Sequence, residues 1–210
     1  MILIGQYDSP YVRRVAISLR ALDLPYEQDA RSIFGDFDAL RRINPTGRIP
    51  ALVLDDGEVI VDSVTILDHI DQMVGPERAL VPPSGAARRR ALRVIALASA
   101  AIDKAGASMY ERRLRPPALR WPEWIERCRA QVSGALAALE AEPWPAADRL
   151  DQAQITAACT VRFIAAADPE LLAGGRYPAL EALSARCEAR PEFVATSYAE
   201  QVLPSGGLSA

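Results

Sequence analysis

Gly5-Gln6-Tyr7-Asp8-Ser9-Pro10-Tyr11-Val12-Arg13-Arg14 joins two kinds of segment. Before it, Ile2-Leu3-Ile4 is a short apolar run that reads as a buried strand within residues 1–6. After it, Val12, Val15, Ala16, Leu19 and Leu22 recur at helical spacing, so a helix is expected over residues 10–22. Ser9-Pro10 marks its start: serine caps the first N–H groups, and proline fits the first helical position, where no N–H is needed. A strand ends, the chain turns, and a hydroxyl stands at the positive end of a helix dipole. Such a place suits an anion.

Outward from this junction, Pro25-Tyr26-Glu27-Gln28 opens a second strand. Phe37, Leu40 and Ile43 give a short helix over residues 34–43. Asn44-Pro45-Thr46-Gly47-Arg48-Ile49-Pro50 holds two prolines and a glycine and is irregular. Ala51-Leu52-Val53-Leu54 and Val59-Ile60-Val61 flank an Asp-Gly turn at Asp55-Asp56-Gly57 and form an antiparallel hairpin. Asp62-Ser63 then opens a third helix, whose apolar face is expected to carry Val64, Leu67, Ile70 and Met73. The first strands must run parallel, because a helix joins them. The order is β-α-β-α-β-β-α, and a Pro- and Gly-rich linker over residues 75–85 ends it.

Beyond the linker strand signals stop. Helices are expected over residues 86–112, 122–141, 155–166, 178–189 and 191–200, with a frayed tail over 204–210. The second of these has Trp124, Cys128, Val132, Ala135 and Leu139 as its stripe, and Asp151-Gln152-Ala153-Gln154 is a capping box before the third. Trp121, Trp124 and Trp144 read as core or helix-packing residues. The expected fold class is α/β plus all-α, with domains at residues 1–75 and 86–203.

The chain's 210 residues can bury a sizeable core. Its 24 Lys and Arg against 27 Asp and Glu give a net charge of −3, which speaks against nucleic acid or an acidic membrane as partner. No apolar run reaches the ~18 residues of a membrane helix. No basic segment followed by an apolar one marks a signal peptide. Cys128, Cys159 and Cys187 form no CxxC pair and no zinc spacing, and free thiols in a reducing cytoplasm are the simplest reading. The single histidine, His69, excludes chemistry that needs a His cluster. Asp68 and Asp71 do not share its helix face, so no metal site is read.

Four local motifs stand in this framework: Ser9-Pro10-Tyr11-Val12-Arg13, Asn44-Pro45-x-Gly47-Arg48-Ile49-Pro50-Ala51-Leu52, Asp62-Ser63-x-x-Ile66, and the cap at Asp151. With the element order, they resemble the cytosolic glutathione transferase family, in its serine-type bacterial-like form. The first is similar to that branch's Ser-Pro-x-x-Arg start, the second to the family's Asn-Pro-x-Gly-Lys-Val-Pro-x-Leu loop, and the third to its Glu/Asp-Ser-x-x-Ile element. At the fourth, Gln154 replaces an Asp of the family pattern and still closes the box. The resemblance covers nearly the whole chain, more tightly in residues 1–75.

The resemblance implies a thioredoxin-like domain that binds glutathione as co-substrate, and a helical domain that contributes the electrophile pocket. Ser9 would be catalytic, its hydroxyl donating to the glutathione sulfur; as a plain cap it would contribute ~1 kcal/mol to the helix. Ile49-Pro50 stands where the family holds a cis proline that aims the Ile49 backbone at the cysteinyl unit. A trans loop proline is the alternative, and the intact flanking motif favours cis. Asp62 would pair with the γ-glutamyl ammonium and Ser63 with its carboxylate, although Asp-Ser is also an ordinary cap. Arg48 completes the glutathione-binding set of Ser9, Arg48, Ile49, Pro50, Asp62 and Ser63. Tyr7 lies where other members carry a catalytic tyrosine; the pattern beside it favours Ser9 and makes Tyr7 a wall of the second-substrate pocket. Met109, Tyr110 and Arg113 are its other candidates, with core packing or an exposed face as the competing reading. Arg13 would steer glutathione carboxylates or form a surface ion pair. No cysteine occupies positions 8 to 10, which argues against the thiol-transferase members. The Ser-Ser-Cys signature of the maleylacetoacetate isomerase branch is also absent.

The expected activity is conjugation of the glutathione thiolate to small electrophiles, a detoxification reaction, by a cytoplasmic homodimer without metal. The alternative is a non-catalytic glutathione-binding or protein-interaction module of the same fold.

Overall fold

The computed structural model describes residues 1–146 and 149–197. Strand β1 (Ile2–Ile4) buries Leu3 and Ile4 and leads into helix α1 (Pro10–Ala21). Gly5 lies between them at φ 129°, where a Cβ would stand 2.6 Å from Cγ2 of Val12 and 2.9 Å from Cβ of Ile49. Glycine lets the chain turn there with both neighbours in place. Next come β2 (Glu27–Asp29), α2 (Phe37–Ile43), β3 (Ala51–Val53), β4 (Val59–Val61) and α3 (Ser63–Val74). The sheet order is β2-β1-β3-β4, with β1 parallel to β2 and β3 antiparallel to both β1 and β4. Ile2 faces Val53 and Ala51 faces Val61 across those ladders. This is a thioredoxin-like domain, and a helical domain follows it: α4 (Gly85–Arg113), α5 (Pro122–Glu140), α6 (Gln152–Ala167), α7 (Pro178–Glu188) and α8 (Pro191–Val194).

The α3 face differs from the sequence reading. Ile66, Leu67 and Ile70 are buried, whereas Val64 and Met73 are 61% and 49% exposed. Steps of three residues fall short of a full turn, so nine residues swing the stripe through about 180° and carry its ends off the core. Trp121 is likewise 61% exposed rather than buried; it stacks on Trp124, whose ring also receives the Lys104 ammonium. The last helix stops at Val194, and residues 198–210, with the expected tail and the end of the expected 86–203 domain, lie outside the described residues.

In the helical domain α4 packs along α5 and α6, and α6 against α7. Helix α6 is buried on nearly every side, with Arg162 exposed. Its capping box is closed: Gln154 N–H donates to Asp151 Oδ1 at 2.7 Å, and Asp151 N–H to Gln154 Oε1 at 3.1 Å. The helix therefore begins at Gln152 and not at residue 155.

Helix α1 ties the two domains together. The sequence predicts one buried stripe, but every residue from Val12 to Leu19 is buried, because α3 and β1 cover one side of the helix and α6 the other. Ser18 Oγ donates to Gln152 Oε1 of α6 at 2.9 Å. Arg13, expected to steer glutathione or to pair at the surface, is 1% exposed. Its Nη1 and Nη2 donate to Glu188 of α7 at 2.6 and 2.7 Å, and its Nε to the Thr196 carbonyl at 2.8 Å. The arginine is an internal tie, since α7 and the segment after α8 close over this end of α1.

Candidate functional site

Two cavities adjoin at the N-terminus of α1. The larger, about 970 Å³, lies between the loops of the thioredoxin-like domain and α4. The smaller, about 320 Å³, is bounded by Arg14, Asn44, Pro50, Asp62, Ser63 and Ser99, among others. Tyr11, Thr46, Arg48, Ile49 and Asp103 belong to the walls of both.

Ser9 stands on the wall of the larger cavity. It caps α1: its Oγ accepts from the Val12 N–H at 3.4 Å. That contact occupies a lone pair and leaves the hydroxyl proton able to point into the cavity. The Ile49–Pro50 bond is cis. Asn44 braces the same loop, donating from Nδ2 to the Arg48 carbonyl at 2.8 Å.

At the smaller cavity Asp62 caps α3, its Oδ1 accepting from the Val64 N–H at 2.8 Å. Its φ is 69° and ψ 135°, a backbone state that costs a non-glycine residue ~1–3 kcal/mol and clusters at ligand sites. Ser63, the first residue of α3, is 2% exposed. Its Oγ accepts from Arg14 Nη2 at 2.6 Å. A guanidinium only donates, so the Ser63 hydroxyl proton remains to be offered to the cavity. Arg14 itself is 1% exposed, with Nη1 on Ser99 Oγ at 3.1 Å, the Tyr11 ring 5.1 Å from its Cζ, and no partner for Nε. Among the described residues no carboxylate contacts it. Burial pulls its pKa down from the ordinary arginine value, against the raising effect of groups that include Asp62 and Asp103 on the same cavity wall. A buried arginine, an aimed hydroxyl and a helix N-terminus together make a seat for a carboxylate.

The structure thus brings Ser9, Arg48, Ile49, Pro50, Asp62, Ser63 and Tyr110 to the cavity walls and leaves Tyr7, Met109 and Arg113 off them. Tyr7 turns away: its hydroxyl lies 2.8 Å from that of Tyr26. Burial and this bond push its pKa well above the ordinary phenol value. Met109 is 3% exposed and packs in the core. Arg113 reaches the Ala166 carbonyl at 3.2 Å. On α4 and its C-cap the cavity face includes Asp103, Ala107, Tyr110 and Leu114 at spacings of four, three and four. Met109 lies about 100° off that line.

Sequence reading missed Asp8, Tyr11, Arg14 and Asp103 as wall residues. Tyr11 Oη donates to Asp103 Oδ1 at 2.5 Å and lies 3.1 Å from the Ser99 carbonyl oxygen, joining α1 to α4 across the boundary of the two cavities. Arg14, like Arg13 beside it, is a cation inside the apolar run Val12, Val15, Ala16 and Ile17, a signal that does not tell the two apart. Cys128, Cys159 and Cys187 are buried and absent from both walls; burial pushes the Cys159 thiol up to about 12 and the Cys187 thiol to about 11. Among the described residues no group of three or more His, Cys, Asp or Glu could hold a metal ion, and no helix is long and apolar enough to cross a membrane.

Residues 3–78 match the family model for the glutathione S-transferase N-terminal domain, and residues 122–186 that for its C-terminal domain. The crystal structure of a glutathione transferase family member from Pseudomonas fluorescens Pf-5 with bound glutathione is 36% identical, with a TM-score of 0.82 over 93% of this chain and 97% of that one. The chain belongs to the glutathione S-transferase family. A glutathione S-transferase from Methylobacterium radiotolerans, in complex with glutathione sulfonate, superposes with a TM-score of 0.87 at 29% identity, covering 97% of each chain. The GST-like protein YibF of Escherichia coli, itself uncharacterized, is 29% identical over 168 residues, 78% of this chain and 82% of YibF.

For this family member Tyr7→Phe gives a discriminating control. The substitution removes the bond to Tyr26 and alters neither cavity wall. The Tm is expected to fall by no more than about 2–4 °C, the equivalent of ~1 kcal/mol, with glutathione affinity unchanged. Scanning and titration calorimetry read the two quantities. A fall in turnover with an alkaline shift of the rate-against-pH curve would give the role of thiol donor to Tyr7 and not to Ser9.

Proposed function

We propose that this chain is a glutathione transferase that joins the glutathione sulfur to small electrophiles, with Ser9 as its catalytic residue. The observation that carries the reading is adjacency: a small polar cavity with a seat for a carboxylate opens into a larger cavity with Ser9 on its wall. In this reading residues 1–75 hold glutathione, and residues 86–203 supply the rest of the electrophile pocket. Ser63 and the α3 N-terminus, backed by Arg14, take the γ-glutamyl carboxylate; Asp62 takes the ammonium. The Ile49 backbone lies along the cysteinyl unit, and Arg48 faces the remaining carboxylate. The family resemblance supports a homodimer, and the net charge and buried thiols fit a cytoplasmic enzyme.

A free thiol titrates near ~8.5, so only a few per cent is thiolate at neutral pH. A hydroxyl donor and the N-terminus of α1 supply one or two pKa units of stabilisation, each worth ~1.36 kcal/mol. With a chlorinated nitroaromatic the thiol proton goes to water. The sulfur–carbon bond then forms as the carbon–chlorine bond breaks, and chloride leaves with the bonding pair.

The test is calorimetric titration with glutathione, followed by release of chloride from that substrate. Binding and release together uphold the proposal. Binding without release leaves the non-catalytic module, and the absence of binding removes both.

A further inference from the structure

Among the described residues on the wall of the larger cavity, Asp8 is the ionisable side chain that is buried yet has no cationic partner. It is 5% exposed. Burial raises its pKa, and the backbone N–H groups of Ser9 and of Asp8 itself lower it in part. Tyr110 of α4 lines the same cavity; burial raises its pKa, the Asp8 charge adds to the rise, and Arg48 opposes it. Asp103 already accepts from Tyr11, and Arg48 sits at the boundary shared with the smaller cavity. The remaining walls are rich in rings. Phe34 meets Tyr110 edge to face, with centroids 6.0 Å apart. A buried carboxylate is costly until a cation or strong donor meets it, and ring faces attract cations in addition.

We infer that the larger cavity selects aromatic electrophiles bearing a positively charged nitrogen, and that Asp8 is the residue that makes the selection. This rests on the transferase reading above and names its substrate class. The rings take the aromatic body, and the enclosed carboxylate takes the charge. An anionic electrophile would face Asp8, Asp103 and the thiolate charge together. Arg48 offers it little relief, because a peptide carboxylate in the smaller cavity engages the same guanidinium.

The test uses the full chain with saturating glutathione and a matched pair of chloronitrobenzenes. One carries a trimethylammoniomethyl group and the other a carboxylate at the same ring position, and each kcat/KM is divided by the uncatalysed rate. The cation is expected to be preferred by about tenfold or more, and Asp8→Asn to bring the ratio close to one. Because the readout is a ratio, a variant of lowered overall activity still reports. Asp8→Glu, which retains the charge, should restore the preference. An anion preference in the parent protein, or a ratio unmoved by Asp8→Asn and abolished by Asp103→Asn, overturns the inference. If neither compound is consumed, the transferase reading fails, and calorimetric binding of unreactive methyl analogues decides the selectivity separately: a cation preference lost in Asp8→Asn upholds it, and equal binding overturns it.

Discussion

Ser9→Ala is expected to lower kcat by one to two orders of magnitude while the Kd for glutathione moves by less than about threefold. In the proposed reading the hydroxyl reaches the sulfur and no other part of glutathione, whereas binding is distributed over the smaller cavity. Removing the donor lets the bound thiol rise by ~1–2 pKa units, and each unit cuts the thiolate present at neutral pH about tenfold. The rate-against-pH curve should therefore move by the same amount toward alkaline pH, and at high pH, where both proteins are fully ionised, the deficit should narrow. Loss of the cap adds a second signature. About 1 kcal/mol of helix stabilisation disappears, which for a chain of this size lowers Tm by roughly 2–4 °C. The two signatures separate the roles of one atom. A serine that only caps α1 would show the fall in Tm with an unmoved pH profile. Ser9→Thr keeps the hydroxyl and should recover most of the rate. Direct titration of the bound thiol by its ultraviolet absorbance measures the shift without reference to turnover.

What could be read from the chain was what local chemistry decides. Ser9-Pro10, Asp55-Asp56-Gly57, Asp62-Ser63 and Asp151-to-Gln154 each act over three or four residues, and the structure has a helix start or a turn at each. The element order followed from switches between periods of two and 3.6. Orientation about a helix axis was not readable at the same precision. Met109 and Tyr110 are neighbours, yet one is core and the other lines a cavity, because which face of α4 meets α6 is fixed by elements some fifty residues away. Tyr7 failed for a similar reason: its partner Tyr26 comes from the far side of α1 in the sequence. The two arginines of the opening motif show the limit most clearly. Nothing local distinguishes Arg13 from Arg14, but α7 supplies a carboxylate to the first and the second is left facing a cavity.

That difference yields the second large effect. Arg14→Met is expected to weaken glutathione binding by at least about thirtyfold, while the Tm of the unliganded protein stays level or rises. Truncating one partner of a desolvated, hydrogen-bonded charge pair costs ~2–5 kcal/mol of affinity, and in the proposed reading the partner of Arg14 is the incoming carboxylate. In the absence of ligand the same guanidinium is a buried cation without a carboxylate, and replacing such a charge by an apolar chain of similar size is commonly neutral or stabilising. Ser63 and Ser99 lose a donor but keep hydroxyl groups that open to the smaller cavity, where water can serve them. Arg13→Met should do the opposite. It strands Glu188 and the Thr196 carbonyl, at a cost toward the lower end of ~3–5 kcal/mol because the Glu188 side chain keeps 29% of its surface in water. Neither cavity wall includes Arg13, so glutathione affinity should hold. Thermal unfolding with and without glutathione compares the pair in one experiment. A ligand at a hundred times its Kd adds ~2.7 kcal/mol to a protein that binds it. At the same glutathione concentration that increment should persist in Arg13→Met at a lower starting Tm and fall to about 0.9 kcal/mol or less in Arg14→Met at a level or higher one. The reverse assignment would mean that the carboxylate seat on α3 does not draw its charge from Arg14.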